Sequence, residues 1–177
     1  MKIYVIRHGE VDLNTQGLIN AHNNYSLNKK GIEQAKEASK RIKELDLDLI
    51  FCSPLQRTVE TCEYINFKKI PVKYDGRLVE RDAGNLQYKS VEIIDQNIWY
   101  DRTKTLLYEN TEGFKSILDR VKEFLDELKE NYYDKNILLV THGDTFRAIY
   151  AYFNAEVTDN EIREYKKENC EIEKFEM

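Results

Sequence analysis

The sequence predicts an α/β fold: a mostly parallel central sheet with helices on both faces and a lid segment over the C-terminal edge of its strands. Three observations carry this expectation. Short apolar runs alternate with segments of helical period, an order that builds parallel sheets covered on both faces. Three of those runs end directly in polar clusters: Arg7-His8-Gly9-Glu10, Ser53-Pro54-Leu55-Gln56-Arg57 and Thr141-His142-Gly143. Residues 76–111 lack a clean period, and a stretch that long without regular pattern is usually a functional loop region with short helices.

Each element has its own signal. Residues 2–6 form a short β-branched run and read as a buried strand. Asn28 is the N-cap candidate of the next helix, where Ile32, Ala35, Ser39, Ile42 and Leu45 recur at helical spacing. Residues 47–52 form a second strand. Pro54 suits the first turn of a helix whose Val59, Cys62 and Ile65 face the core. Residues 70–74 form a third strand, placed at an edge by Pro71. Beyond the lid, Phe114, Ile117, Leu118, Val121, Phe124, Leu125 and Leu128 share one face of the clearest helix, a core stripe. Residues 137–141 are a fourth, wholly apolar strand, followed by a helix from about Thr145 to Phe153. Cys170, Ile172 and Phe175 suggest one more short strand.

A chain of 177 residues suits one domain, 1–177, with the lid at about 76–112. A domain of that size buries roughly 70% of its unfolded surface, so it needs no disulfide or metal to fold. Lys+Arg 27 against Asp+Glu 32 leaves a net charge of −5 without a basic run, which argues against a nucleic-acid partner. No stretch approaches the about 20 apolar residues of a membrane span, and the N-terminal apolar run is too short for a signal peptide. Cys52, Cys62 and Cys170 lack zinc spacing and read as reduced core thiols. The expectation is a soluble cytoplasmic protein; composition is silent on its oligomeric state.

In a parallel sheet all strand C-termini lie along one edge, where ligands bind. Arg7, His8, Arg57 and His142 should therefore converge, and two of the chain's three histidines occupy this equivalent position. Arginine presents planar paired donors that match phosphate oxygens, and a neutral imidazole is a competent nucleophile. Two nearby cations would keep His8 unprotonated near neutral pH. The set fits phosphoryl transfer to histidine. It fits a metal site poorly, because flanking arginines repel a cation. Ser53 lacks the glycine-flanked turn of a hydrolase nucleophile.

These residues carry a resemblance. Arg7-His8-Gly9-Glu10 resembles the R-H-G-E signature of the histidine phosphatase superfamily, the phosphoglycerate mutase-like family, and Asn14 matches the asparagine that follows it. Leu27 to Gly31 is similar to the family's L-x-x-x-G opening of its first helix. Ser53, Leu55, Arg57 and Thr61 match S-x-L-x-R-x-x-x-T, and Leu78, Glu80 and Gly84 match L-x-E-x-x-x-G. Glu112 with Arg120, and Val140 to Gly143, complete the series in the right order. Several ordered motifs in their expected structural contexts are far more specific than R-H-G-E alone.

The resemblance implies a phosphatase with no metal and no cofactor, acting on a small phosphorylated metabolite. It implies that His8 accepts the phosphoryl group, that Arg7, Arg57 and His142 hold its oxygens with help from Asn14 and Gly143, and that Glu80 is the general acid. Asp82 is a nearby rival carboxylate, His22 matches no catalytic position, and Trp99 and Tyr100 either line the pocket or pack the lid. Val11, Gln87-Tyr88, Thr111 and Gly113 depart from the family pattern without removing a catalytic group. Phosphoglycerate mutase activity, phosphohistidine protein phosphatase activity and a non-catalytic phospholigand-binding role are the alternatives. A mutase needs a second cationic pocket, and the lid cations Lys89, Arg102 and Lys104 are offset by Glu92, Asp95, Asp101 and Glu109. Glu112-Gly113-Phe114 loosely resembles the α-ribazole phosphatase branch, which implies a nucleoside or sugar monophosphate.

Overall fold

The three runs that end in polar clusters become adjacent central strands. A computed structural model describes residues 1–177. In chain order the elements are β1 (Lys2–Arg7), α1 (Asp12–Thr15), α2 (Lys29–Lys43), β2 (Leu49–Cys52), α3 (Gln56–Ile65), β3 (Val72–Tyr74), α4 (Gln96–Trp99), α5 (Phe114–Asn131), β4 (Asn136–Thr141), α6 (Gly143–Phe153), α7 (Asp159–Glu164) and β5 (Ile172–Glu176). The sheet order is β3-β2-β4-β1-β5. All pairings are parallel except β1 with β5, which is antiparallel.

The alternation of side chains along a strand sorts the core onto two faces. Ile3, Val5, Phe51, Ile137 and Leu139 pack with the stripe of α5 and with Phe146 and Ile149 of α6. Ile6, Ile50, Cys52, Leu138 and Val140 point the other way, toward Ala35, Ala38 and Ile42 of α2 and Cys62 and Ile65 of α3. Each large apolar side chain so buried contributes about 1.5–3 kcal/mol. The Asn28 side chain accepts from Gly31 N–H at 2.8 Å and caps α2, while Lys40, Arg41 and Lys43 complement its C-terminal dipole.

Several boundaries differ from the sequence expectation. On α2 Ala38 is buried rather than Ser39, and Ile32, Leu45, Val59 and Leu118 are only half-buried. Pro54 lies ahead of α3 rather than in its first turn, because Leu55 is the N-cap. Helix α6 begins at Gly143, directly after His142, rather than near Thr145. Helices α1 and α7 were not anticipated; both are short, and tertiary contacts rather than a long apolar stripe hold them. No helix is long and apolar enough to cross a membrane.

The segment between β3 and α5 holds 3₁₀ turns at Gly76–Leu78, Gly84–Leu86, Val91–Ile93 and Tyr108–Asn110, besides α4. Leu78, Ala83, Leu86, Trp99 and Tyr100 tie it into the core. Gly84 has φ +48° and would place a Cβ 2.2 Å from Glu109 O, so the turn requires glycine.

Candidate active site

Register brings the polar clusters together. Ile6 pairs with Val140 and Arg7 with Thr141, while Cys52 pairs with Val140 from the other side. The next residues continue the ladder: His8 N–H donates to Thr141 O and Ser53 N–H to Val140 O, both at 3.0 Å. His142 therefore leaves β4 between His8 and the Ser53–Arg57 cluster. The two imidazoles face each other with ring centroids 5.2 Å apart.

His8 is buried, and its Nδ1 lies 2.7 Å from Gly9 O. A carbonyl only accepts, so Nδ1 carries the proton and Nε2 keeps its lone pair. Burial first, then Arg57 and Arg7, hold this imidazole well below its usual pKa. The expected cause, two cations, is thus present but second to desolvation. The Gly9 N–H donates to Thr61 Oγ1 at 2.9 Å, which fixes the turn behind His8 from α3. His142 Nε2 is 2.7 Å from Ser53 Oγ. The Ser53 hydroxyl can donate its proton to this nitrogen while its oxygen accepts from Leu55 N–H. In this tautomer Nδ1 of His142 is a donor; it is buried without a protein partner. Burial, then Arg57, then His8 keep His142 neutral as well.

Arg57 is fully buried, giving Nη1 to Asn23 O (3.0 Å) and Nη2 to Ala21 O (2.8 Å). Burial lowers its pKa to about 10, so it remains charged at neutral pH. Arg7 gives Nη1 to Lys167 O at 2.7 Å. The Nε–H groups of both arginines are buried without protein acceptors.

Glu80 sits against the N-terminus of α6. Its Oε2 accepts from Gly143 N–H at 2.9 Å, and its Oε1 from Arg81 N–H at 2.9 Å and Asp144 N–H at 3.2 Å. Burial raises the Glu80 pKa and the Asp144 carboxylate adds to the rise, opposed by the Arg81 N–H, Arg57 and Arg7. Gly143 N–H is therefore engaged by Glu80 rather than free for a phosphate. Asp82 is exposed and accepts from Gly84 N–H, a turn contact. Asn14 lines the cavity, and its Oδ1 accepts from Val11 N–H. His22 Nε2 lies 2.7 Å from the backbone O of Glu80. Trp99 and Tyr100 do both things considered for them: they are buried, and they line the cavity.

The cavity has a volume of about 880 Å³, with Arg7, His8 and Glu80 in its lining. Leu18, Ile19, Val91 and Ile94 supply an apolar wall. Sequence reasoning missed the opposite wall, where Arg147, Arg163, Lys166 and Lys167 meet Glu164 and Glu168. These residues follow the last recognisable motif and carry no spacing signal of their own. It also missed Asn169, whose Nδ2 donates to His8 O at 2.8 Å. No group of three or more His, Cys, Asp or Glu side chains is placed to ligate a metal.

The chain is similar to known proteins over most of its length. The chain is 30% identical over 151 residues to the Bacillus subtilis (strain 168) protein named uncharacterized phosphatase PhoE, covering 83% of this chain and 74% of that one. It is 30% identical over 149 residues to the Escherichia coli (strain K12) adenosylcobalamin/alpha-ribazole phosphatase, covering 80% and 73%. Bacillus stearothermophilus YhfR superposes with a TM-score of 0.86 at 23% identity, covering 99% of this chain and 90% of that structure. The Shigella flexneri alpha-ribazole phosphatase does so with a TM-score of 0.83 at 24% identity, covering 100% and 91%. The family model of the histidine phosphatase superfamily (branch 1) matches residues 3–177, and the chain belongs to that superfamily.

Proposed function

We propose that the protein hydrolyses a small organic phosphomonoester in two steps, with His8 as the phosphoryl acceptor. The observation that carries this reading is a neutral His8 with a free Nε2, set among buried donors that no protein group satisfies: Arg7 Nε, Arg57 Nε and His142 Nδ1. Unpaired buried donors cost about 1–3 kcal/mol each, and phosphoryl oxygens would satisfy them.

In the first step His8 Nε2 forms the N–P bond as the ester P–O bond breaks. The departing alkoxide takes the proton of Glu80. In the second, water attacks phosphorus, gives its proton to the Glu80 carboxylate, and His8 leaves with its lone pair restored. Arg7 and Arg57 balance the charge of the transferring group, and neutral His142 donates to it. Asn14 holds the turn beside it.

Hydrolysis is favoured over mutase chemistry by the charge of the cavity. Lys89, Arg102 and Lys104 are absent from its lining, and Arg102 pairs with Asp159. On the opposite wall Arg163 and Lys166 are offset by Glu164 and Glu168, Arg147 pairs with Asp144, and Lys167 pairs with Glu171 and Glu173, leaving little field to retain a second phosphate. Relatives named for phosphatase activity support the same choice, and a nucleoside or sugar monophosphate is the substrate class that the α-ribazole phosphatases suggest. A mutase relative, 28% identical, keeps the alternative testable.

The test is a denaturing quench with ³²P-labelled monoester. A base-stable, acid-labile phosphoenzyme is expected in the wild type and none in His8→Ala; label retained in His8→Ala rejects the assignment. Free phosphate is measured beside 3-phosphoglycerate isomerisation. Isomerisation faster than phosphate release by orders of magnitude would make the protein a mutase.

A further inference from the structure

Asp144 belongs to no motif that the sequence singled out, yet it is buried at the centre of a charged network beside Glu80. Its Oδ2 accepts from Trp99 Nε1 and faces Arg81 Nε, both at 2.9 Å. Its Oδ1 accepts from Tyr100 OH at 2.9 Å and Arg147 Nη1 at 3.2 Å. Arg81 in turn donates Nη1 to Trp99 O at 2.7 Å and lies 4.2 Å from the Trp99 ring centroid. One carboxylate thus holds two guanidiniums and the Trp99 and Tyr100 side chains that line the cavity. The backbone N–H groups of Arg81 and Asp144 meet on a single oxygen, Oε1 of Glu80.

The charges around Glu80 show what Asp144 does. Arg7 acts on it from β1 and Arg57 from α3; Arg147 of α6 flanks Gly143 beside it, and the adjoining Arg81 turns its guanidinium to Asp144, with neutral His142 at the start of α6. Arg120 of α5 and His22 reach the Glu80 backbone O. Of the nearby carboxylates, Glu112 is taken up by Arg120 and Glu168 acts on Arg7, and Asp144 is the one that acts on Glu80. Arg7 and Arg57, joined by Arg81 and Arg147 were Asp144 not there to engage them, would favour ionised Glu80, a poor state for an acid.

We propose that Asp144 is a positioning residue for the transfer: it engages Arg81 and Arg147, sets a compensating negative charge beside Glu80, and ties that acid to the docked Trp99–Tyr100 pair. The inference rests on Glu80 being the general acid. Burial and Asp144 are also the two causes that raise the Glu80 pKa. Replacing Asp144 by a neutral side chain removes one of them and frees two cations, so both changes favour ionised Glu80.

The experiment is the pH profile of kcat/KM on an alkyl and an aryl phosphate for wild type, Asp144→Asn, Arg147→Gln, Trp99→Phe and Glu80→Gln, with thermal unfolding of each. In Asp144→Asn the basic limb on the alkyl substrate should move to lower pH. The ratio of activity at pH 8 to that at pH 5.5 should fall about tenfold, and much less on the aryl substrate. In Arg147→Gln, a milder change at a half-buried site, the limb should move to higher pH; this variant decides the matter if Asp144→Asn does not fold. Trp99→Phe keeps every charge, so activity should drop by the same factor at all pH values. A pH-independent loss in Asp144→Asn, or an unmoved limb in Arg147→Gln, overturns the proposal. Glu80→Gln separates the two levels: a basic limb that survives there removes Glu80 as the acid and the proposal with it. A limb lost there but unmoved by the other variants rejects Asp144 alone.

Discussion

Gly31→Ala sets two effects of opposite sign against each other. Gly31 lies in the first turn of α2 and packs on the backbone that follows His8. A Cβ at this position would fall 2.1 Å from Glu10 O and 2.7 Å from Glu10 N. Restoring an ordinary contact of 3.4 Å needs a displacement of more than an ångström, and the obstacle is backbone rather than a flexible side chain. Helix propensity alone predicts that alanine stabilises the helix by about 1 kcal/mol. Overpacking of a tight interior contact costs about 1–3 kcal/mol, and a backbone clash sits at the upper end. The clash should win, with a net loss of about 1–2 kcal/mol, or roughly 2–8 °C in Tm for a chain of this size. The displaced backbone holds His8 against the phosphoryl site, and misplacement by 1 Å can cost about a hundredfold in rate. Differential scanning fluorimetry and kcat on an alkyl phosphate measure both. A Tm at or above wild type with kcat unchanged would refute the packing argument.

Arg57→Met should lower kcat by about 10²–10³-fold by removing a donor to the transferring group. It should also cost about 1–3 kcal/mol for each of the carbonyls of Ala21 and Asn23 left unpaired, read by urea unfolding. His142 is held neutral in the folded state well below its ordinary value, while the unfolded chain protonates near pH 6.5. Below that pH the unfolded state binds the extra proton, so this group makes stability fall as pH falls, by up to about 1.4 kcal/mol per unit. His142→Asn should flatten the decline between pH 6.5 and 5 by that amount; parallel declines in urea titrations would contradict a buried neutral imidazole. In the proposed site Arg7 and Arg57 supply the positive field and His142 a neutral donor, so activity should persist after dialysis against excess EDTA. Activity lost there and restored by Mg²⁺ or Zn²⁺ would show a metal requirement.

Much of the fold is legible because its elements are long or strongly patterned. The seven-residue apolar stripe of α5 and the apolar run Ile137–Val140 of β4 each have one reasonable reading. The polar clusters are legible for a different reason: each directly follows an apolar run, and parallel strands send such residues to one edge. Helices α1 and α7 escaped, and α4 could not be placed within its loop region, because four to six residues give no period to read. Glu80 and Asp82, two carboxylates in one loop, look alike in sequence. The backbone separates them, because the N-terminus of α6 receives Glu80 and leaves Asp82 in solvent.

The sequence by itself determined the alternation of strands and helices, the two-sided core, and the pairing of Arg7, His8, Arg57 and His142 with strand ends. These are local properties, written in short spacings and in the residue that follows each apolar run. Only the tertiary structure decided the strand order, which inserts β4 between β1 and β2 and so sets His142 beside His8. It alone decided which donors are unpaired, that burial outweighs the arginines in keeping His8 neutral, and that Asp144 joins Arg81, Arg147 and Trp99 beside Glu80. The physical reason is range. Periodicity reports on neighbours a few residues apart, whereas desolvation and charge depend on every group within several ångströms, whatever its place in the chain.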